Sequence, residues 1–263
     1  MLRHTFLHVP GIGASTERAL WARGICSWED AVDALDSSPE RLGAAGRKLE
    51  AHLPATLRAA ENRDSAYFQR LSRFGESWRM YREFADACVF LDIETTGLSQ
   101  QRDEITAVGL YDGYHYSAFV KGDNLSHLPQ KLRQYAVVIT FNGSGFDLPF
   151  LRAKLPACVP PGHIDLRWAA RKLGYRGGMK DIEPRFGIKR PKRLAGIDGF
   201  EAARLWRQYR RGDKRALTML IDYNREDVVN LKTIMEQLYA RLASECIRCF
   251  PKPFRKAFAA SAQ

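Results

Sequence analysis

Apolar positions along this chain follow two spacings. Runs rich in β-branched and aromatic residues and of strand length occur at Cys88-Val89-Phe90-Leu91-Asp92-Ile93, at residues 104–111 and 114–120, and at 136–141. Such runs bounded by turn-forming residues predict strands. Asp112-Gly113 predicts the turn that joins the second run to the third, so the first three form a meander. Residues 126–135 and 146–155 predict helices, and the alternation predicts an α/β layer. The C-terminal third predicts a helix over residues 200–209. A longer one over 214–242 sets Leu217, Leu220, Ile221, Val228, Leu231 and Ile234 on related faces. Near the start, Val9-Pro10-Gly11-Ile12-Gly13 predicts a tight turn ahead of a helical pattern through Leu20, Trp21 and Ile25. Residues 78–84 predict a strand or extended linker.

Composition narrows the classes. With 263 residues, 45% hydrophobic and 27% charged, the chain can bury one sizeable core plus a smaller appendage. Its longest apolar runs are too short to cross a bilayer, and Met1-Leu2-Arg3-His4-Thr5 lacks the apolar stretch of a secretory signal, so a cytoplasmic protein without membrane association is expected. Five irregularly spaced cysteines do not make a disulfide framework. Cys246 and Cys249 alone fall short of the four ligands of a structural zinc site. The net charge of +11 is concentrated: residues 166–217 hold sixteen Lys or Arg against five Asp or Glu, which leaves the rest of the chain neutral. One basic segment of this kind suits a polyanion, although a solubilising surface has the same composition.

Three acidic segments carry the chemistry. Asp92 and Glu94 stand two apart at the end of a strand and project from one face. Paired acids near a core repel and are desolvated unless a cation neutralises them, and carboxylate oxygens suit Mg²⁺. The segment Phe141-Asn142-Gly143-Ser144-Gly145-Phe146-Asp147 runs from a buried strand through a Gly-rich turn to an Asp in the first turn of a helix, where Asp also suits the helix dipole. Tyr223 and Asp227, four apart, share one face of the long helix.

Taken in order, Leu91-Asp92-Ile93-Glu94-Thr95-Thr96-Gly97-Leu98, Phe141-Asn142-Gly143 with Phe146-Asp147, and Tyr223 with Asp227 resemble the three exonuclease motifs of the DEDDy class. The chain is most similar to the YprB-like proteins of the RNase H superfamily. Asp198-Gly199-Phe200-Glu201-Ala202 leading to Leu205-Trp206, Gly212-Asp213 and Tyr223-Asn224-Arg225-Glu226-Asp227-Val228 have counterparts there. The Gly11/Gly13 turn resembles a helix-hairpin-helix, in which glycine frees backbone N–H groups to meet a phosphate. The resemblance implies an α/β fold: an RNase H-like mixed β-sheet flanked by helices, with a small N-terminal helical module. It implies a helical DNA-binding module over 1–62, a linker or edge segment over 63–87, an exonuclease domain over 88–245 and a basic tail over 246–263.

It also implies function. Asp92, Glu94, Asp147 and Asp227 would hold two divalent cations, Mg²⁺ or Mn²⁺, and Tyr223 would orient the attacking water in a two-metal 3′-5′ exonuclease. Gly11, Gly13, Asn142, Lys180, Arg185, Lys189, Arg190, Lys192 and Arg193 would contact nucleic acid, with DNA ranked ahead of RNA. Thr95 and Asp165 would support the site, Asp165 also being placed to cap a helix. Trp168, Tyr175, Trp206 and Tyr209 could stack on bases or pack a core. A structure-specific endonuclease and a binding adaptor that has lost turnover are the competing readings.

Overall fold

The computed structural model describes residues 1–156, 159–194 and 196–255. Chain contacts group into two compact units, one formed by Met1–Ala85 with the described residues from Leu238 on, the other by Asp86–Gln237.

The first unit is helical. Gly13 is the N-cap of α1 (Ala14–Ala22). Gly11 sits at φ 76°, a left-handed conformation that favours glycine. A reciprocal cap between Ser27 and Asp30 starts α2 (Trp28–Ser37), and α3 (Gly46–Glu61) follows. Trp28 is fully buried; its indole N–H donates to the Thr5 carbonyl at 2.7 Å and its ring stacks on Phe68.

In place of the strand or extended linker expected over residues 78–84, a 3₁₀ turn covers Ser77–Met80. Arg79 Nε donates to Glu76 at 2.7 Å, and the same guanidinium pairs with Glu17 at 3.3 Å and lies over the Trp21 and Trp78 rings. All three charged groups are buried. A buried charge must keep its partners, and Glu76 can reach Arg79 three residues on in a turn far better than in an extended strand. Phe250 is also buried, with its ring 5.1 Å from Trp21, so the chain is packed as far as this residue. The end of the expected basic tail, from residue 256, lies outside the described residues.

The second unit carries the sheet. β1 (Cys88–Thr95), β2 (Ile105–Tyr111) and β3 (Tyr116–Val120) form the antiparallel meander. After α4 (Leu128–Leu132), β4 (Val137–Thr140) returns to pair parallel with β1. After α5 (Asp147–Lys154), β5 (Gly162–Asp165) pairs parallel with β4, giving the order β3-β2-β1-β4-β5. The mixed α/β sheet expected from the sequence is therefore present; β5, which is not among the expected strands, completes it.

Alternation along β1 decides the rest. Val89, Leu91 and Ile93 face a core shared with Leu128, Leu132, Phe150 and Leu151. Asp92 and Glu94 consequently point to the opposite face. Beyond the sheet come α6 (Leu166–Lys172), α7 (Met179–Ile182), α8 (Gly199–Arg210) and α9 (Lys214–Arg248). Leu205, Trp206, Leu220 and Tyr223 pack with Val120 in a second core, which fixes the α9 face bearing Tyr223 and Asp227.

Candidate metal centre

Asp92, Glu94 and Asp227 each offer a carboxylate oxygen, and these oxygens lie within 4.8 Å of one another. Among the described residues this is the one group of His, Cys, Asp and Glu able to hold a metal ion, and Cys246 and Cys249 are not part of it. Asp147 joins from α5: its Oδ1 accepts the Ile93 N–H at 3.1 Å, between the two β1 acids in sequence. Strand alternation sets the first two acids, the Gly-rich turn after β4 sets Asp147, and the α9 packing sets Asp227.

The electrostatics of the cluster suit a cation. Burial, reinforced by the neighbouring acids, raises Asp92 and Glu94 well above the usual carboxylate range. Asp147 is pushed up to about 7, first by burial and then by the charges of Asp165 and Asp227, against the pull of backbone hydrogen bonds. Asp227 is raised by burial despite its contact with Arg190. Hard oxygen donors whose own mutual repulsion resists ionisation fit Mg²⁺ or Mn²⁺.

Other chain groups orient these acids. Asn224, fully buried, donates from Nδ2 to Asp92 Oδ2 at 3.1 Å and to Glu94 Oε1 at 3.4 Å, while its Oδ1 accepts from Tyr116 Oη at 2.9 Å. Tyr223 is buried, and Lys180 Nζ donates to its hydroxyl at 2.9 Å. The phenol hydrogen-bonds Asp227, and burial beside the acids raises its pKa, so it stays neutral. Thr95 donates to the Gly97 carbonyl at 2.6 Å and so shapes the loop that follows β1.

Asp165 caps α6, accepting from Arg167 N–H, as the sequence suggested, and also accepts from the amides of Asn142 and Ser144. It thereby holds the turn in which Asn142 sits at φ 65°. His163 is bonded to Thr140 and lowered to about 4, chiefly by burial, so it is neutral.

The basic residues divide. Arg190 turns inward: Nε and Nη2 each donate to Glu183 at 2.7 Å, and Nη2 also pairs with Asp227. With 13% of its side chain exposed it serves the acids, a role its position in a basic run did not suggest. Arg193 pairs with Asp222, while Arg185, Lys189 and Lys192 are exposed, Arg185 lying over the Tyr175 ring. Gly11 and Gly13 belong to the other unit. Sequence reasoning passed over Asn224, Glu183 and Gly109. Gly109 had a signal, since an isolated glycine within a strand pattern marks a close approach of another group.

No curated protein matches the sequence. Among solved structures, the chain is similar to the family B DNA polymerase of Pyrobaculum calidifontis (16% identity over 57% of this chain and 24% of that one, TM-score 0.47). It is also similar to Brucella melitensis NrnC with bound Mg²⁺ (22% identity over 66% of this chain and 80% of that one, TM-score 0.45). The chain thus spans about a quarter of the polymerase. No helix among the described residues is long and apolar enough to cross a membrane. The RNase_H_2 family model, described as RNase H superfamily, matches residues 89–239, more than half of the chain and the whole of the acidic site, and the protein belongs to that superfamily.

Proposed function

We propose that this protein is a metal-dependent nuclease that removes nucleotides from the 3′ end of a nucleic-acid strand. The observation that carries the reading is the convergence of Asp92, Glu94 and Asp227 oxygens within 4.8 Å, with Asp147 bound to the intervening Ile93 amide. These four carboxylates would hold two Mg²⁺ or Mn²⁺ ions, which supply Lewis acidity and charge neutralisation at the phosphorus centre.

The remaining work falls to the chain. Tyr223, neutral and fixed between Lys180 and Asp227, has an oxygen placed to accept a hydrogen bond from the attacking water and so to aim it. Lys180 brings a positive charge to the same point, where phosphate charge builds during displacement. A recess of about 530 Å³ opens from Asp92, Glu94 and Asp227 between Leu98, Phe146, Phe200 and Ala203. Leu98 and Phe200 are 76% and 81% exposed, apolar surface that a terminal nucleoside would cover. The order of the acidic motifs, which resembles that of 3′-5′ exonucleases, favours exonuclease action over internal cleavage.

Incubation with end-labelled DNA and RNA strands and Mg²⁺ or Mn²⁺ should give a ladder that shortens from the 3′ end, and EDTA should stop it. Cleavage of a circular single strand would replace the exonuclease with an endonuclease, and salt-sensitive binding without products would leave a binding protein.

The first unit would grip a duplex backbone at Gly11 and Gly13. Gly13 has open space where a Cβ would stand and takes an extended N-cap conformation, which Asp also favours. Gly13→Asp should therefore keep or raise the melting temperature while lowering duplex affinity about fivefold by opposing a phosphate there. Unchanged duplex affinity would remove the grip.

A further inference from the structure

Two recesses meet at the acids. The apolar one is described above; the other, of about 580 Å³, shares Asp92, Tyr223 and Asp227 with it and continues past Phe141, Asn142, Arg167, Gly178 and Lys180. A scissile phosphate at the acids, as the proposed nuclease activity requires, places nucleotide on both sides. The terminal nucleoside suits the apolar recess, so the strand leading away from it must use the polar one.

In that second recess Arg167 differs from Arg190, Arg193 and Arg204. Arg190 is held by Glu183 and Asp227, Arg193 by Asp222 and Arg204 by Glu201. Arg167 donates from Nη1 to the Asn142 amide oxygen, and no carboxylate among the described residues pairs with it. Its backbone is fixed as well, because its N–H donates to Asp165 Oδ1, the atom that also accepts from Asn142 N–H. A half-buried guanidinium that lines a groove, oriented by an amide and left without a carboxylate partner among the described residues, is a ready phosphate ligand.

Trp168 follows it on α6. Of Trp168, Tyr175, Trp206 and Tyr209, Trp206 is buried, with Tyr209 against it, and Tyr175 packs on Phe186, whereas Trp168 is 47% exposed. Its orientation is nevertheless set: Nε1 donates to Ser144 Oγ at 3.4 Å, and the Arg171 guanidinium lies 4.9 Å from the ring centroid. Ser144 Oγ in turn donates to Asp165, so one carboxylate organises the turn, the arginine and the indole together. An indole held in place, backed by a cation and open to solvent is a stacking platform for a nucleobase.

We infer that Arg167 and Trp168 form a second nucleotide subsite beside the metal centre, Arg167 binding the internucleotide phosphate next to the scissile one and Trp168 stacking on the base of the adjoining nucleotide. The inference rests on the nuclease reading for the place of the scissile phosphate, but its test is binding, with the whole 263-residue chain. Fluorescence anisotropy in Ca²⁺ compares an all-phosphodiester single strand with one carrying a single neutral methylphosphonate at the second linkage from the 3′ end. A third strand lacks the base at the adjoining nucleotide.

Wild type should bind the neutral-linkage strand about tenfold more weakly than the parent strand. Arg167→Met, checked for an unchanged melting temperature, should bind the parent strand about tenfold more weakly and show no further loss with the neutral linkage. Trp168→Ala should likewise lose the preference for an intact base over an abasic position. An Arg167→Met protein as sensitive to the neutral linkage as wild type overturns the proposal, as does absence of strand binding in wild type. If the binding pattern holds but Mg²⁺ yields no products, the subsite stands and the nuclease reading falls; hydrolysis that is indifferent to linkage and base has the opposite consequence.

Discussion

Asp92→Asn is expected to abolish metal-dependent hydrolysis, a loss of at least about a thousandfold, while leaving the metal-free protein no less stable than wild type. Asp227→Asn should do the same for activity, because each residue supplies one corner of the oxygen cluster. The stability half separates a metal site from a structural ion-pair network, in which deleting a charge destabilises. Burial and mutual repulsion raise the site acids, with Asp147 at about 7 against roughly 4 for an unfolded Asp. Between those values the folded state binds more protons than the unfolded one. The contribution of such a group is complete below about pH 4 and is lost as pH rises through about 7. Asp92→Asn removes one of the opposing charges, so its metal-free melting temperature should exceed that of wild type by more at pH 8 than at pH 5. Wild type should recover the difference at pH 8 when Mn²⁺ is added, and the variant should recover far less. Thermal melts at two pH values with and without metal, beside the labelled-strand assay, measure all of this. Retained hydrolysis by the folded variant would sink the assignment.

The legible parts of the site were those in which local sequence dictates geometry. Alternation in Cys88–Thr95 sends Leu91 and Ile93 one way and Asp92 and Glu94 the other, whatever surrounds the strand. The four-residue spacing of Tyr223 and Asp227 puts both on one side of any helix that contains them. The illegible parts depend on partners distant in the chain. Arg190 reads as one more surface cation until Glu183 and Asp227 are seen to hold it. Residues 78–84 read as a strand or extended linker until Glu17, 62 residues before Arg79, is seen to pair with it in a turn. Strand β5 is only four residues long and follows Pro160-Pro161, too little pattern to register, yet its final residue organises the turn holding Asn142. Charge counting located the basic segment, but which cations face a ligand depends on which carboxylates have already claimed them.

Asn224 is where the unread chemistry should have its largest measurable effect. Among the described residues its amide is the one neutral group that donates to both β1 acids, and it approaches so closely because Asp92 is paired across the sheet with Gly109. A Cβ at position 109 would stand 1.9 Å from Asn224 Oδ1 and 2.8 Å from Val228 Cγ2, distances that only displacement of the helix side chain could relieve. Strand and helix are thus matched so that an amide sits behind the β1 carboxylates and sets their lone pairs. Asn224→Leu keeps the approximate volume but removes both donor and acceptor. It should weaken Mn²⁺ binding about ten- to a hundredfold, the usual consequence of losing a group that orients metal ligands. Gly109→Ala adds no polar atom and removes none, yet by pushing Asn224 away it should reproduce most of that loss. Because both changes break one contact, the double variant should bind Mn²⁺ scarcely more weakly than either alone. Calorimetric titration of the purified proteins with Mn²⁺, on samples shown by circular dichroism to be folded, gives the three affinities. Wild-type affinity in Asn224→Leu would show that the carboxylates hold their places without it, and simple additivity in the double variant would separate Gly109 from Asn224.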